Sequence, residues 1–324
     1  MNIKKLKGYW YPVIASKEVK NTPVGVTLLG EKLVLFRANG ELSCLKDQCP
    51  HRGVALSNGV VEENQLRCHY HGWRFSAKGV LTEVPGCNNG CHEEVHIEPF
   101  SVVEQEETIW VRLSGTEEFE SPFKVPENFV RTRHFKKIEA NFIHAIENFL
   151  DATHTPFIHK GLLRSKGKQR MRVTQDSFLD GFVTHYELLD KQNGLINKLF
   201  DNGVNKNRAS FSLPSFAKIE YLKEEELLFS MAIFFVPFTK GEVGMVVEVS
   251  LPKQLLPKGL VFAMLRPFLE LALYQDKIIL KEQYEKSRGE FEYLSLESDL
   301  VIDHLLYLLA DGEKGLNKEM IMSL

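Results

Sequence analysis

Two cysteine–histidine pairs constrain the fold of this chain more than any other feature of its sequence. Cys49 and His51 are separated by one residue, Cys68 and His71 by two, and sixteen residues lie between the pairs. Each pair can place two ligands on one tight turn, and the intervening segment can bring the two turns together. Two thiolates and two imidazoles suit either a tetrahedral zinc site or a [2Fe-2S] cluster with mixed ligands. The sequence therefore predicts a metal centre held by two loops.

The residues that flank the two pairs favour the cluster over zinc. The stretches read Cys-Pro-His-Arg-Gly from Cys49 and Cys-His-Tyr-His-Gly-Trp from Cys68. A zinc ribbon has no need of these prolines, glycines and tryptophans, whereas together they resemble the fingerprint of Rieske proteins. The resemblance implies that the two cysteines bind one iron, that His51 and His71 bind the other, and that His69 faces solvent. Neutral histidines in place of thiolates raise the reduction potential of such a cluster.

A second motif follows about 80 residues later. Asn148, Asp151 and His154 are three residues apart, which predicts one face of a helix over 144–154 that ends before a proline. His159 follows five residues after His154, where the chain has turned. Two histidines and one carboxylate form the facial triad of non-haem Fe(II) oxygenases. Taken alone, this spacing also fits a helix followed by a loop with two incidental histidines.

The third ligand of such a triad must come from elsewhere in the chain. Asp276 lies among apolar residues at helical spacing, within a helix predicted over 264–286. Burying a carboxylate costs free energy unless it is paired or binds a metal, which makes Asp276 the preferred ligand. Asp299, Asp303 and Glu147 are the rivals, although interaction with a helix dipole already explains Asp299 at the start of the last predicted helix.

The two motifs, in this order, resemble the α subunits of Rieske non-haem iron oxygenases. With a length of 324 residues, the chain resembles the dicamba and vanillate O-demethylase branch of this family. The resemblance implies a terminal oxygenase whose mononuclear Fe(II) is held by His154, His159 and Asp276. It implies that a flavin reductase, directly or through a ferredoxin, passes electrons from NAD(P)H to the cluster and on to this iron. With O2 the iron would then hydroxylate, demethylate or dihydroxylate a small molecule.

The same resemblance gives Asp151 a part in electron transfer. It implies a homotrimer in which Asp151 bridges His71 of one subunit and His154 of the next. A carboxylate that only orients His154 within one subunit is the alternative. A Rieske electron-transfer protein without oxygenase activity is the rival function, and the retained second motif argues against it. The chain has no Gly-x-Gly-x-x-Gly fingerprint, so another protein must oxidise NAD(P)H.

The pattern of strands and helices predicts two domains, 1–115 and 116–324, and an α+β fold class. The first is expected to be an all-β Rieske domain and the second a set of helices on an antiparallel sheet. The predicted strands cover 22–29, 32–38, 41–46, 80–84, 108–113, 181–189, 209–222, 227–238 and 244–251, and the last helix covers 297–310. Phenylalanine-rich segments at 211–216 and 229–238 indicate a pocket for an apolar, aromatic or polycyclic substrate.

Charge and cysteine content exclude several other classes of protein. Lys+Arg is 40 and Asp+Glu is 43, which gives no support to a nucleic-acid binder. Five cysteines, an odd and sparse set, argue against a secreted disulfide scaffold. The apolar stretch 259–274 is interrupted by charge, so membrane association is not expected. The N-terminus has no pattern of a signal peptide, which predicts a cytoplasmic protein.

Two weaker patterns have alternative interpretations. Cys87 and Cys91, followed by His92 and His96, are expected to be structural or incidental rather than a further metal site. The basic run 160–172 fits a solvated surface, with docking of an acidic ferredoxin or reductase as the functional alternative.

Overall fold

The structure, a computed structural model, describes residues 2–87, 94–116, 118–159, 170–190, 204–253, 258–287, 294–296, 298–310 and 319–323. These residues form two compact units. The N-terminal unit consists of Ile3–Ser121 with Val236–Thr239, and the C-terminal unit is formed mainly by Pro122–Phe235 and Lys240–Leu324.

The described residues of the N-terminal unit form ten short strands in three sheets, as its Gly-punctuated, β-branched sequence predicts. The sheets have the strand orders β2-β3-β4, β5-β6-β7-β8 and β1-β10-β9. After a short helix, α1 (Ile3–Leu6), the strands are β1 (Tyr11–Ala15), β2 (Val24–Leu28), β3 (Glu31–Ala38), β4 (Glu41–Lys46), β5 (Val60–Glu62), β6 (Gln65–Arg67), β7 (Arg74–Phe75), β8 (Leu81–Glu83), β9 (Ser101–Gln105) and β10 (Thr108–Arg112).

The core of this unit lies directly beneath the two cysteine–histidine loops. Phe36, Leu66 and Phe75 are fully buried, and Cys49 and Cys68 belong to the same apolar cluster. Burial of these side chains is the main source of stability for so small a unit. The loops are therefore anchored through their cysteines, while the histidines extend away from the core.

The C-terminal unit contains an eight-stranded antiparallel sheet with the order β11-β17-β16-β15-β14-β13-β12-β18. Its strands are β11 (Phe129–Glu139), β12 (Arg170–Phe178), β13 (Gly181–Leu188), β14 (Lys206–Ser212), β15 (Phe216–Lys223), β16 (Glu226–Thr239), β17 (Glu242–Pro252) and β18 (Glu319–Ser323). Sequential hairpins account for most of these pairings, whereas β11 and β18 reach their partners from distant parts of the chain.

Among the described residues, four helices accompany the sheet: α2 (Phe142–Leu150), α3 (Thr155–Ile158), α4 (Lys258–Ser287) and α5 (Leu300–Ala310). Helix α2 contacts α4 and α5 and also strands β14, β15 and β17. It is amphipathic, and the buried residues along it include Ile146 and Leu150. The predicted class, an all-β domain followed by helices on an antiparallel sheet, is confirmed.

The helix predicted over 144–154 is wrong at its C-terminal end. Helix α2 stops at Leu150, because the side chain of Asp151 accepts hydrogen bonds from the backbone N–H groups of Thr153 (2.8 Å) and His154 (3.2 Å). Such side-chain bonds compete with helical ones and turn the chain. His154 is then the N-cap of α3, so Asn148, Asp151 and His154 do not share one helical face.

The single strand predicted over 209–222 is also wrong. The chain forms two strands there, β14 and β15, which pair with each other around the intervening residues Leu213–Ser215. Pro214 has no N–H with which to extend a ladder, and this signal was available in the sequence.

None of the described helices combines the length and apolar character needed to cross a lipid bilayer.

Candidate metal centres

The two cysteine–histidine loops adopt the same turn. In each loop the cysteine N–H donates to the carbonyl five residues further on, at 2.8 Å for both Cys49 and Cys68. Gly53 and Gly72, four residues after each cysteine, donate back to the cysteine carbonyls at 2.8 and 3.1 Å. Both glycines have positive φ angles, 75° and 73°, which residues with a Cβ rarely adopt. The flanking glycines of the fingerprint are thus explained by backbone geometry.

The two thiols lie close together in an apolar environment. Cys49 and Cys68 are 2% and 1% exposed. Burial is the main cause of a pKa raised to about 11 for the Cys49 thiol, and the neighbouring Cys68 contributes to that increase. A thiolate at this position therefore needs a cation to compensate for lost hydration, which a bound metal supplies.

The two histidines stand side by side above the thiols. The ring centroids of His51 and His71 are 4.6 Å apart, and His51 stacks on Trp73 at 4.5 Å. Nδ1 of His51 is buried and has no hydrogen-bond partner within the described part of the chain. Burial, with Coulomb repulsion from His71 and Arg52, lowers the pKa of His51 and favours the neutral ring that binds metal. The four predicted ligands therefore fit a [2Fe-2S] cluster.

The second site brings together the three ligands predicted for the mononuclear iron. One donor atom each from His154, His159 and Asp276 lies within 4.8 Å of the others. Oδ1 of Asp276 is 3.0 Å from Nε2 of His159 and 3.7 Å from Nε2 of His154. The four-residue helix α3 separates the histidines and turns both rings toward α4, which carries the carboxylate. Two imidazoles and a carboxylate around one point fit a ferrous ion.

His159 is the most deeply buried of these three residues. Its side chain is 3% exposed, compared with 20% for both His154 and Asp276. Burial alone would lower the pKa of His159, but the Asp276 carboxylate outweighs this effect and raises it. Without a cation the pair therefore favours a protonated ring, and metal binding must displace that proton.

Asp151 lies beside the site and holds the loop that carries His154. Its carboxylate accepts hydrogen bonds from Thr153 N–H and Oγ1–H and from His154 N–H, and Oδ2 lies 3.5 Å from Nδ1 of His154. Burial acts to raise the pKa of Asp151, but these bonds together hold it below its usual value. The carboxylate of Asp151 therefore stabilises the turn between α2 and α3.

The rival carboxylates lie apart from the two histidines. Glu147 and Asp299 line a small cavity of about 30 Å³ that Asp151 also borders. Asp303 forms a hydrogen bond with Ser295. Among the described residues, only Asp276 completes a metal-binding group with the two histidines.

Two residues near the mononuclear site had no role assigned from sequence. Asn148 Nδ2 donates to Oδ1 of Asp276 at 3.5 Å, and Oε1 of Gln275 lies 2.9 Å from Nδ1 of His159. Gln275 directly precedes Asp276 on α4. No local pattern indicates that two consecutive helical residues reach the same histidine ring.

The structure describes only some of the residues in the remaining sequence patterns. Cys44 is buried in β4, as expected for a core residue. His69 is exposed, in agreement with its prediction. Cys91, His92 and residues 160–169 of the basic run lie outside the described residues.

Comparison with protein families agrees with both candidate centres. Residues 9–104 match the Rieske [2Fe-2S] domain, and residues 138–306, more than half of the chain, match the vanillate O-demethylase oxygenase C-terminal domain. The chain therefore belongs to the Rieske non-haem iron oxygenase family, and the predicted resemblance is confirmed. The cofactors of that family are the predicted [2Fe-2S] cluster and mononuclear iron.

Individual relatives give the same assignment. The chain is 36% identical over 171 residues to the 3-chlorobenzoate-3,4-dioxygenase oxygenase subunit of Comamonas testosteroni, covering 49% of this chain and 39% of the relative. It is 32% identical over 170 residues to the methylxanthine N1-demethylase NdmA of Pseudomonas putida, covering 49% and 48%. The matches thus span about half or less of these curated relatives. The crystal structure of dicamba monooxygenase bound to 3,6 dichlorosalicylic acid superposes with a TM-score of 0.77 at 19% identity, covering 94% of this chain and 96% of that one, and shows the fold.

The unusual protonation of Glu147 predicts a pH-dependent stability. Burial, followed by the charges of Asp151, Asp299 and Asp303, raises the pKa of Glu147 from 4.5 to about 7. The folded state therefore holds this proton more tightly than the unfolded chain does, so stability falls as pH rises from about 4.5 to about 7. We expect Glu147→Gln to raise the free energy of unfolding at pH 8 by on the order of 1 kcal/mol, with a much smaller gain at pH 5.

Urea titrations of both proteins at the two pH values measure this difference. Glu225→Gln is the matched control, because Glu225 is exposed and pairs with Lys206. It should show no gain at pH 8. If Glu147→Gln raised the free energy of unfolding equally at pH 5 and pH 8, the assignment of a proton to Glu147 in the folded state would be wrong.

Proposed function

We propose that this chain is a terminal oxygenase that uses O2 and externally supplied electrons to hydroxylate or demethylate an apolar small molecule. The observation that carries this proposal is the convergence of His154, His159 and Asp276 in a chain that also has a Rieske fingerprint. A pure electron-transfer protein has no need for a second metal site, and the match to an oxygenase C-terminal domain also argues against that rival.

The residues divide into an electron-accepting group and an oxygen-activating group. Within this proposal, residues 1–115 form the Rieske domain, with Cys49, His51, Cys68 and His71 as cluster ligands. Residues 116–324 form the catalytic domain, in which His154, His159 and Asp276 hold Fe(II). When bound, the cluster supplies single electrons, and the iron supplies a site at which O2 and substrate meet.

Asp151 is proposed to couple the two groups. Its carboxylate is ionised and faces His154, which suits a residue that orients this ligand. The family resemblance adds that the same carboxylate contacts His71 of a neighbouring subunit in a homotrimer. A protein that oxidises NAD(P)H, a flavin reductase with or without a ferredoxin, would deliver the electrons.

An apolar, aromatic substrate is proposed for the catalytic site. Phe149, which follows Asn148 on α2, packs against the buried Phe235 of β16 with ring centroids 6.1 Å apart, so aromatic side chains lie next to the residue that hydrogen-bonds Asp276. The names of the two curated relatives, a chlorobenzoate dioxygenase subunit and a methylxanthine demethylase, support a planar ring compound. We also propose a cytoplasmic location.

The first experiment measures iron and acid-labile sulfide per chain, with EPR of the reduced protein before and after addition of NO. Three irons, two sulfides, a Rieske signal and a new high-spin Fe–NO signal are the expected result. Two irons with a Rieske signal and no Fe–NO species, even after anaerobic loading with Fe(II), would indicate an electron-transfer protein and overturn the proposal.

His154→Ala tests whether the two centres are independent. We expect this variant to lose the Fe–NO signal and all turnover while its Rieske spectrum persists, because His154 belongs to the mononuclear group only. His185→Ala is the matched control, since His185 is an exposed histidine of β13, and it should retain both signals. Loss of the Rieske spectrum in His154→Ala alone would contradict two separate sites.

Asp151→Asn tests the proposed coupling. An amide keeps most of the shape of the carboxylate but removes its charge. We therefore expect both metal centres to stay loaded, while oxidation of the reduced cluster by O2 slows by about tenfold or more. Stopped-flow absorbance measures that rate. An unchanged rate would restrict Asp151 to a structural part in the loop.

A further inference from the structure

We propose that Gln275 is a positioning residue of the mononuclear site, which accepts a hydrogen bond from Nδ1 of His159 and thereby presents Nε2 as the metal ligand. This inference rests on the proposed site, because it needs His159 to bind a metal. It adds a residue that lies outside the predicted ligand set.

The geometry places one partner at each end of the His159 ring. Gln275 Oε1 is 2.9 Å from Nδ1, and Asp276 Oδ1 is 3.0 Å from Nε2. These partners are consecutive residues of α4, and the ring between them is almost completely buried. Rotation of the ring away from this plane would break both contacts, so α4 fixes the ring orientation as well as supplying the carboxylate.

The contact with Gln275 also decides which ring nitrogen carries the proton. A neutral imidazole has one N–H and one lone pair. When the amide oxygen accepts from Nδ1–H, the proton that metal binding displaces is the one on Nε2, so the lone pair is left on Nε2, which faces Asp276 and the metal position. If the Gln275 amide were flipped, its N–H would donate to Nδ1 and the ring proton would lie on Nε2. Nε2 would then have no lone pair with which to bind a metal. Hydrogen bonding of the distal nitrogen is how proteins commonly fix metal-binding histidines.

The two histidines of the site have different partners at this distal position. Nδ1 of His154 faces the carboxylate of Asp151 at 3.5 Å, whereas Nδ1 of His159 faces a neutral amide. A carboxylate at position 275 would be a stronger acceptor and would add negative charge beside a divalent cation. Gln275→Glu should therefore maintain or strengthen metal binding, although it places a charge in a partly buried position.

Cobalt binding to the full chain, with its cluster in place, tests this inference. Co²⁺ binds nitrogen and oxygen sites more tightly than Fe²⁺ does, and elemental analysis after equilibrium dialysis counts it separately from cluster iron. We expect Gln275→Leu to raise the dissociation constant for Co²⁺ by roughly 10–100-fold. Gln275→Glu should bind Co²⁺ at least as tightly as the natural chain. If Gln275 only fills space, Gln275→Leu should bind Co²⁺ more tightly than Gln275→Glu, because leucine preserves the volume and glutamate adds a charge.

Gln283→Leu is the matched control. Gln283 is a second glutamine of α4 and interacts with His144, a buried histidine outside the metal-binding group. Its loss should leave the dissociation constant for Co²⁺ unchanged. If Gln275→Leu does not fold, Gln275→Asn replaces it, since the shorter side chain keeps the amide but withdraws it from the ring.

The outcomes separate this inference from the proposed function. If the natural chain and His159→Ala bind the same amount of cobalt, the metal site itself is wrong. If His159→Ala loses one cobalt but Gln275→Leu, or Gln275→Asn in its place, binds as the natural chain does, only the role of Gln275 is overturned. Weak binding by both Gln275→Leu and Gln275→Glu would also overturn it.

Discussion

The arrangement of the C-terminal unit depends on the carboxylate of Asp276. This group is 20% exposed on helix α4, and its desolvation must be compensated. The compensation comes from His159, His154 and Asn148, all on the segment that runs from α2 to α3. Helix α4 is thereby fixed in register against that segment, because sliding it by one turn would leave the carboxylate buried without a partner.

The two metal-binding groups are each incomplete as polypeptide alone. In the N-terminal unit, two thiols are buried, and the buried Nδ1 of His51 has no hydrogen-bond partner among the residues that the structure describes. In the C-terminal unit, the raised pKa of His159 shows that Asp276 favours a positive charge beside it. Both groups therefore favour a cation through electrostatics and donor chemistry, and their different donor atoms select different occupants.

Local spacing made much of this site predictable from sequence, and long-range contacts account for what was missed. The cysteine–histidine loops need only short-range geometry, and Asp276 was visible as a charge on an apolar helix face. Strand β11 was missed because its sequence is rich in charge, yet Arg133 on that strand pairs with the buried Glu248 of β17 at 2.6 Å. Gln275 was missed because its partner His159 is more than 100 residues away in the chain.

Two carboxylates in this unit have surroundings of opposite charge. Asp276 and Glu147 are both partly withdrawn from water. Asp276 lies 3.0 Å from Nε2 of His159 and raises the pKa of that ring, so a positive charge is favoured beside it. The charged groups acting on Glu147 are Asp151, Asp299 and Asp303, all negative, so Glu147 keeps its proton up to about pH 7. The proton that Glu147 holds therefore keeps one further negative charge out of a region that already contains Asp151, Asp299 and Asp303.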